Sequence, residues 1–199
     1  MILKVENIAK AFGKNKVLKN INFEMDKSLL YGIVGENGSG KSTLLKIIVG
    51  EWKSDHGKIS IDGRFGYCPQ KTLLFPQLTI DEHLKYFAAA YQIEKAKIYS
   101  QSDSLMDHFN FKKYRKEKIA NLSGGTQQKL SLTIALLHQP KLLILDEPYN
   151  GFDWDTYLKF WDYTDQLREE GCTILVVTHL LTEKERFDRI YNLEQGELI

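Results

Sequence analysis

The segment GENGSGKST at residues 35–43 restricts the fold of this chain more than any other feature. It follows an apolar, strand-like run at 29–34 and precedes a helical pattern at 42–49. A buried strand, a glycine-rich turn and a helix in direct succession are typical of α/β proteins, which bind ligands at the carboxyl ends of their parallel strands. We therefore expect an α/β fold with a ligand site built around this turn.

The glycine-rich turn fits the pattern G-x-x-x-x-G-K-[ST]. Its glycines allow backbone N–H groups to curl around a phosphate, and the following helix adds the positive end of its dipole. In this pattern the lysine, Lys41, reaches the β- and γ-phosphates of a nucleotide, and the hydroxyl of Ser42 ligates Mg²⁺. The candidate phosphate-binding residues are Gly35, Asn37, Gly38, Ser39, Gly40, Lys41, Ser42 and Thr43.

Length, charge and cysteine content exclude several classes of protein. The chain has 199 residues, 43% of them hydrophobic, which favours one globular domain over a disordered or fibrous chain. Lysine and arginine number 27 against 26 acidic residues, so bulk charge does not favour nucleic acid as a partner. The two cysteines, Cys68 and Cys172, make no disulfide framework, which fits a reducing cytoplasm. No apolar run reaches the roughly 18 residues of a membrane span, so we expect no direct membrane insertion.

The hydrophobic pattern divides this single domain, 1–199, into two parts. Residues 1–70 and 140–199 alternate between strand-like and helical runs, and we interpret them as an α/β nucleotide-binding core. Residues 71–139 change to helical spacing and predict an inserted helical subdomain. The inserted part would therefore interrupt the core in sequence.

Two helix predictions depend on spacing and capping patterns. Apolar residues recur at helical spacing from 79 to about 110, so we expect one helical stretch there. Thr79 and Glu82 form a capping-box pattern at its start. A second helix is predicted at 154–170, before a glycine. Its expected core face comprises Trp154, Tyr157, Leu158 and Trp161.

The run LLILDE at 142–147 predicts a buried strand that ends in two acids. Such a strand would deliver Asp146 to the carboxyl edge of the sheet, where it could hold Mg²⁺ through a water. Glu147 would face another direction and polarise an attacking water. Because the same chain carries a phosphate loop, we interpret Asp146 as a metal residue and Glu147 as a catalytic residue.

A second glycine-rich helix start lies at 122–126, which reads LSGGT. Ser123, Gly124 and Gly125 would open a helix and so form another anion-binding N-terminus. In its order after the phosphate loop and before the acidic strand, this segment resembles the L-S-G-G-Q signature of ATP-binding-cassette (ABC) ATPases. The resemblance implies that the signature serves the ATP of a second protomer.

The resemblance runs almost end to end and implies roles for four further residues. Phe12 matches the aromatic residue that stacks on adenine, and Gln70 matches the glutamine that senses Mg²⁺. Asp153 occupies the D-loop aspartate position, and His179 matches the switch histidine that contacts the γ-phosphate. The expected catalytic residues are then Lys41, Gln70, Glu147 and His179. The expected metal ligands are Ser42, Gln70 and Asp146.

Two positions depart from the family pattern. Thr126 replaces the signature glutamine, which shortens a polar contact there. The D-loop at 149–153 reads YNGFD where S-A-L-D is usual, which puts the geometry between subunits in question. A homodimer and a heterodimer therefore both stay open.

For the whole chain, the resemblance implies a P-loop NTPase core with a small antiparallel β lobe and an inserted α-helical subdomain. It implies an ABC transporter subunit that binds and hydrolyses ATP with Mg²⁺, and that pairs with a second ABC subunit around two ATP molecules. Conformational change of this pair would drive separate transmembrane permease subunits. This chain would lie in the cytoplasm on the inner face of the membrane. The alternative is a soluble ABC ATPase of an assembly complex, such as one for iron–sulfur clusters.

Two finer expectations concern the permease. The apolar stretch at 72–78, with Tyr86, Phe87 and Tyr91, is predicted to dock a cytoplasmic helix of the membrane partner. The compact length resembles cassettes of exporters, so export is favoured over import. A small-molecule kinase is disfavoured, because it would not explain the signature segment, Gln70 and His179.

Overall fold

The computed structural model of the chain describes residues 1–179 and 183–199. In this part of the chain the elements, in order, are β1 (Leu3–Phe12), β2 (Asn15–Met25), β3 (Leu30–Val34), α1 (Lys41–Ile48), β4 (His56–Ile61), β5 (Phe65–Cys68), α2 (Ile80–Ala90), α3 (Lys95–His108), α4 (Gly124–Leu136), β6 (Leu142–Asp146), α5 (Trp154–Glu169), β7 (Thr173–Thr178), β8 (Arg189–Glu194) and β9 (Glu197–Leu198). Within these residues, no helix combines the length and apolar character needed to cross a bilayer.

The strands form two sheets. Strands β2, β1 and β4 make an antiparallel sheet of three, which is the small β lobe expected from the sequence. The larger sheet has the order β5-β6-β7-β3-β8-β9. Its first five strands are parallel, and β9 closes the edge antiparallel to β8. Parallel pairing brings the carboxyl ends of β3, β5, β6 and β7 to one edge of the sheet.

The larger sheet separates two hydrophobic cores. In β6, Leu142 and Ile144 face the core shared with α1 and the small β lobe, whereas Leu143 and Leu145 face the core beneath α2–α5. Alternate residues of a strand point to opposite faces, so a strand buried on both faces needs apolar residues throughout. This explains the unbroken apolar run of β6.

The prediction of one helical stretch from 79 to about 110 is wrong. The structure has two helices, α2 and α3, separated by residues 91–94, and Gln92 adopts the left-handed region with φ 59°. The break contains neither glycine nor proline, so no sequence signal marks it. The capping box at the start of α2 is confirmed, because Glu82 N donates to Thr79 Oγ1 at 3.2 Å and Thr79 N donates to the Glu82 carboxylate at 2.7 Å.

The predicted core face of α5 is wrong at two positions. Trp154 is 70% exposed and Leu158 is 40% exposed, whereas Trp161 is buried as expected. The buried face of the helix consists of Thr156, Phe160, Trp161, Thr164 and Leu167. It includes two threonines, so a count of apolar residues alone places the face about one residue away from its true position.

Helix α4 packs against β5 at backbone contact distance. A Cβ atom added at Gly66 of β5 would lie 2.1 Å from the carbonyl oxygen of Ala135 in α4. Only a residue without a side chain fits this approach. The signature segment, which opens α4, is thereby fixed to the same sheet that carries the phosphate loop.

Both cysteine thiols are expected to be unreactive in the folded protein. Cys68 and Cys172 are buried, and burial raises the pKa of each thiol to about 12. At pH 8 an aromatic disulfide reagent should therefore label neither thiol within minutes, because the thiolate is the reactive form. The absorbance of the released aryl thiolate measures the reaction, and unfolding in guanidinium chloride should expose both groups. Rapid labelling without denaturant would contradict the packing of β5 and β7.

Candidate functional site

The glycine-rich loop connects β3 to α1 and has two positions that require glycine. At Gly40, φ is 109°, in the left-handed region, immediately before the first residue of α1. At Gly35, an added Cβ would lie 2.2 Å from the carbonyl oxygen of Leu193. The loop therefore lies against the end of β8 and directs the N-terminus of α1 toward the edge of the sheet.

Lys41 is the first residue of α1, and its ammonium group folds back over the loop. Its Nζ donates to the carbonyl oxygens of Gly35 at 2.6 Å and Glu36 at 2.8 Å. Burial lowers the pKa of Lys41, and the nearby Glu147 and Asp146 oppose that shift. The ammonium group is thus poised at the loop between backbone carbonyls and two carboxylates.

Asp146 and Glu147 follow each other at the end of β6 but have different surroundings. Burial, and then the neighbouring charge of Glu147, raises the pKa of Asp146 to about 6. Glu147 is 5% exposed and adopts φ 48°, which a non-glycine residue rarely does. This turn redirects the chain after Asp146, so the two carboxylates have separate roles available to them.

The Glu147 carboxylate accepts hydrogen bonds on both of its oxygens. Oε1 accepts from the backbone N–H of His179 at 2.8 Å and lies 2.6 Å from His179 Nδ1. Oε2 accepts from Thr178 Oγ1 at 3.0 Å. Thr178 was missed by sequence reasoning, since a threonine that ends a buried strand carries no distinctive pattern. The end of β7 therefore orients the carboxylate that follows β6.

One cavity of about 290 Å³ collects most of the residues predicted for phosphate, metal and catalysis. The predicted site residues that line it are Asn37, Gly38, Gly40, Lys41, Ser42, Thr43, Gln70, Asp146, Glu147 and His179. Gly35 and Ser39 line an adjoining cavity of about 800 Å³, which shares Asn37, Gly38 and His179 with it. The structure thus joins loops that follow β3, β5, β6 and β7.

The donor set in this cavity fits a magnesium ion. Ser42 supplies a hydroxyl, Gln70 an amide oxygen and Asp146 a carboxylate, which are the oxygen donors that Mg²⁺ prefers. Among the described residues, no group of three His, Cys, Asp or Glu side chains converges as in a structural metal site. The fit is therefore to an ion that is also held by substrate phosphates and water.

Phe12 lies at the end of β1, outside the phosphate cavity. Its side chain is 47% exposed, and its ring contacts Trp52 edge to face, with centroids 5.4 Å apart. Lys46 Nζ in turn lies 4.4 Å from the centroid of the Trp52 ring. Sequence reasoning missed Trp52, since an aromatic residue in the turn after α1 carries no distinctive signal. The exposed ring of Phe12 is suited to stack on a base.

The signature segment and the D-loop meet in a second cavity, of about 320 Å³. Ser123 caps α4 by accepting from Thr126 N at 3.3 Å, and its Oγ lies 3.0 Å from Thr126 Oγ1. Asp153 caps α5 in the same way, accepting from Thr156 N at 2.8 Å. Hydrogen bonds with the side chain and then the backbone of Thr156 lower the pKa of Asp153. Both cap residues line this cavity.

The D-loop crosses the signature helix at backbone contact. A Cβ added at Gly125 would lie 2.5 Å from the carbonyl oxygen of Gly151, so the second signature glycine is required by packing. Gly125 lines the second cavity, whereas Gly124 is not among its lining residues and has open space around it. Among the described residues, the second cavity and the phosphate cavity share no lining residue.

Comparison with known proteins decides the family. The family model described as "ABC transporter" matches residues 18–150 of this chain. The chain belongs to the ABC transporter family. It is an ABC ATP-binding cassette with the P-loop NTPase fold expected from the sequence.

The relatives of this cassette differ in length. The chain is 33% identical to the linearmycin resistance ATP-binding protein LnrL of Bacillus subtilis, over 100% of this chain and 68% of that protein. It is 31% identical to ABC transporter G family member 20 of Dictyostelium discoideum, of which it spans 29%. The dimeric structure of a bacterial ABC transporter cassette superposes with a TM-score of 0.91 and 27% identity, covering 99% of this chain and 96% of that one.

The buried charge of Asp146 is expected to lower the stability of the cassette. The pKa of Asp146 is about 6 in the folded protein, against about 3.9 in an unfolded chain. The charge on Asp146 therefore lowers the free energy of unfolding by its full amount above about pH 6 and has no effect below about pH 4. This difference of about two pKa units corresponds to about 3 kcal/mol. Because an asparagine at this position is still a buried polar group, we expect Asp146→Asn to recover only ~1 kcal/mol, which raises the melting temperature at pH 7.5 by about 2–4 °C.

Differential scanning calorimetry between pH 4 and pH 8 tests this expectation. The gain from Asp146→Asn should shrink as the pH falls from 6 to 4, since the wild-type carboxyl then becomes protonated. The matched control is Asp162→Asn, which removes a carboxylate from the exposed surface of α5. A gain that is equal at pH 4 and pH 7.5 would be inconsistent with a buried charge as its cause.

Proposed function

We propose that this chain is the ATP-hydrolysing subunit of an ABC transporter, which pairs with a second ABC subunit around two ATP molecules. The observation that carries the proposal is the division of ATP-binding elements between two separate cavities. The phosphate loop lines one cavity, and the signature segment with Asp153 lines the other. A signature helix N-terminus that does not reach its own phosphate loop is suited to bind the ATP of a partner subunit.

The chemistry proposed for the phosphate cavity is in-line attack of water on the γ-phosphate. The loop N–H groups and Lys41 would hold the β- and γ-phosphates, and Glu147 would orient the attacking water. His179, hydrogen-bonded to Glu147, would contact the γ-phosphate. Ser42, Gln70 and Asp146 would hold Mg²⁺, which would supply positive charge to neutralise the phosphate oxygens. Positioning and electrostatics would thus carry most of the rate.

An exposed apolar patch supports docking of a membrane partner. Leu73, Phe75 and Tyr86 are 68%, 46% and 54% exposed, and the rings of Phe75 and Tyr86 lie 5.4 Å apart. The patch is anchored to α2, because Phe75 N donates to Nε2 of the buried His83 at 2.8 Å. It begins three residues after Gln70, so a partner seated there would lie next to the phosphate cavity.

Phe87 and Tyr91, which we also predicted for this surface, are partly buried against the core of the helical region. We therefore assign the contact with a permease to the patch of Leu73, Phe75 and Tyr86. Phe87 packs beside this patch, with its ring centroid 5.3 Å from that of Tyr86. Through the contact with the permease the cassette would lie in the cytoplasm, on the inner face of the membrane.

Export is the direction that we propose for the transporter. The support is the relative LnrL, whose name assigns it to resistance against linearmycin. A homodimer and a heterodimer are both compatible with Thr126 and the YNGFD segment. The transported molecule would contact the permease rather than this chain.

Glu147→Gln is expected to keep ATP binding but to reduce steady-state hydrolysis by at least ~100-fold. The amide fits the same space but is a far poorer acceptor for a proton of the attacking water. Phosphate release measures turnover, and equilibrium binding of a fluorescent ATP analogue measures affinity. Wild-type turnover in Glu147→Gln would refute the role of Glu147.

Lys41→Ala is expected to weaken ATP binding by at least ~10-fold, because it removes a charged contact to the phosphates. The same binding measurement with the fluorescent ATP analogue tests this change.

Paired serine substitutions at Leu73 and Tyr86 are expected to release the cassette from its membrane partner. The test is affinity capture of the tagged chain from detergent-solubilised membranes of the native host, with identification of the eluted proteins. The wild-type chain should elute with a polytopic membrane protein in stoichiometric yield, and the double variant should lose most of it because the buried apolar area is lost.

The matched control is Tyr99→Ser, which replaces an exposed aromatic residue on α3, outside the patch. It should leave the capture unchanged. Capture of soluble partners alone by the wild-type chain would favour the assembly ATPase over the transporter. Unchanged capture of the membrane protein by the double variant would refute the patch as its docking surface.

A further inference from the structure

A chain of hydroxyl groups connects the catalytic-site carboxylate to the aromatic core beneath α5. Tyr149 Oη donates to Thr178 Oγ1 at 2.8 Å, and Thr178 Oγ1 donates to Glu147 Oε2 at 3.0 Å. Thr178 is fully buried and Glu147 is 5% exposed, so water does not readily replace these bonds. The chain ends on the Glu147 oxygen that His179 does not contact.

The ring of Tyr149 is held by aromatic neighbours on α5. Its centroid lies 5.6 Å from that of Tyr157, 6.0 Å from that of Phe160 and 6.1 Å from that of Trp161. Phe160 and Trp161 are buried. Because the ring is packed against these neighbours, the position of its hydroxyl is fixed by the packing.

The direction of the two hydrogen bonds follows from the chemistry of the three groups. Burial raises the pKa of Tyr149 to about 12, so its hydroxyl stays protonated and can donate. A threonine hydroxyl has one proton, and an ionised carboxylate only accepts. When Thr178 accepts from Tyr149, its own proton is therefore directed toward Glu147. The bond from Tyr149 thus holds the Thr178 oxygen in the position from which it donates to Glu147.

We propose that Tyr149 is a positioning residue for ATP hydrolysis, which orients the Glu147 carboxylate through the hydroxyl of Thr178. The inference rests on the proposed role of Glu147 in holding the attacking water. With His179 on one oxygen and the Tyr149–Thr178 chain on the other, both ends of the carboxylate are fixed. The rotation of the carboxylate about its last bond is then set by β7 and α5 rather than by β6, which carries it.

Ring packing alone does not account for the hydroxyl group. A phenylalanine would make the same ring contacts with Tyr157, Phe160 and Trp161. The hydroxyl oxygen is therefore the part of Tyr149 on which the proposed positioning of Glu147 depends. Tyr149→Phe removes only that oxygen. The variant is therefore expected to fold, and its melting temperature should remain within a few degrees of the wild type, since only one hydrogen bond is lost.

The deciding measurement is the rate of a single turnover, with enzyme in excess over radiolabelled ATP, which isolates hydrolysis from product release. Tyr149→Phe should slow this step by about fivefold, the effect expected for one lost hydrogen bond. The KM for ATP and the affinity for ATP should stay within about twofold, because no contact to the nucleotide changes. The matched control is Tyr163→Phe, which removes a hydroxyl from a tyrosine of α5 whose ring lies against His108 and Phe109, and its rate should be unchanged.

A double-mutant cycle tests whether Tyr149 acts through Thr178. Thr178→Val should slow the single turnover at least as much as Tyr149→Phe, and Tyr149→Phe should add no further loss in the Thr178→Val background. Equal losses in both backgrounds would overturn the inference, and so would an unchanged rate in Tyr149→Phe. A rise in KM with an unchanged rate would assign Tyr149 to binding and would overturn it as well.

The outcome for Glu147→Gln separates this inference from the proposed function. If that variant retains wild-type turnover, the role of Glu147 fails and the positioning role of Tyr149 fails with it. If that variant is inactive and Tyr149→Phe is as fast as the wild type, only the positioning role is overturned, and the proposed function stands.

Discussion

The parallel pairing of β3, β7 and β6 is the constraint on which the site depends. Val34 pairs with Thr178, and Asp146 pairs with Val177, so the three strands end at nearly the same level of the sheet. Each strand then continues into a loop that carries residues of the candidate site. The register of the sheet therefore brings the phosphate loop, the two carboxylates and His179 to one edge, although they are widely separated in sequence.

The two cores on either face of the sheet make this arrangement rigid, but they also hold charged side chains out of water, which costs free energy. Lys41 at the start of α1, and Asp146 and Glu147 at the end of the apolar strand β6, are all nearly excluded from water. Burial lowers the pKa of Lys41 and raises the pKa of Asp146, and the opposite charges offset part of that cost. The candidate site, which we propose holds phosphate and metal, thus retains charges that are expected to reduce the stability of the free cassette.

The elements that sequence reasoning predicted well are those that local chemistry specifies. The phosphate loop needs glycine at fixed positions, β6 needs apolar residues on both faces, and the capping box of α2 joins residues three apart. Sequence reasoning failed where packing decides the outcome. The break between α2 and α3 contains no glycine or proline, and the buried face of α5 includes threonines. Strands β8 and β9 were not predicted at all.

The sequence by itself determined the ligand class, because a phosphate loop, a signature segment and an acidic strand end each act through residues that are adjacent in the chain. The tertiary structure alone decided that the signature and D-loop share a cavity apart from the phosphate loop. It also decided the hydrogen bonds through which Thr178 and Tyr149 orient Glu147. The bond between Thr178 and Glu147 joins residues 31 positions apart, and the bond between Tyr149 and Thr178 joins residues 29 positions apart. Such contacts depend on strand order and on helix packing, and neither leaves a local pattern in the sequence.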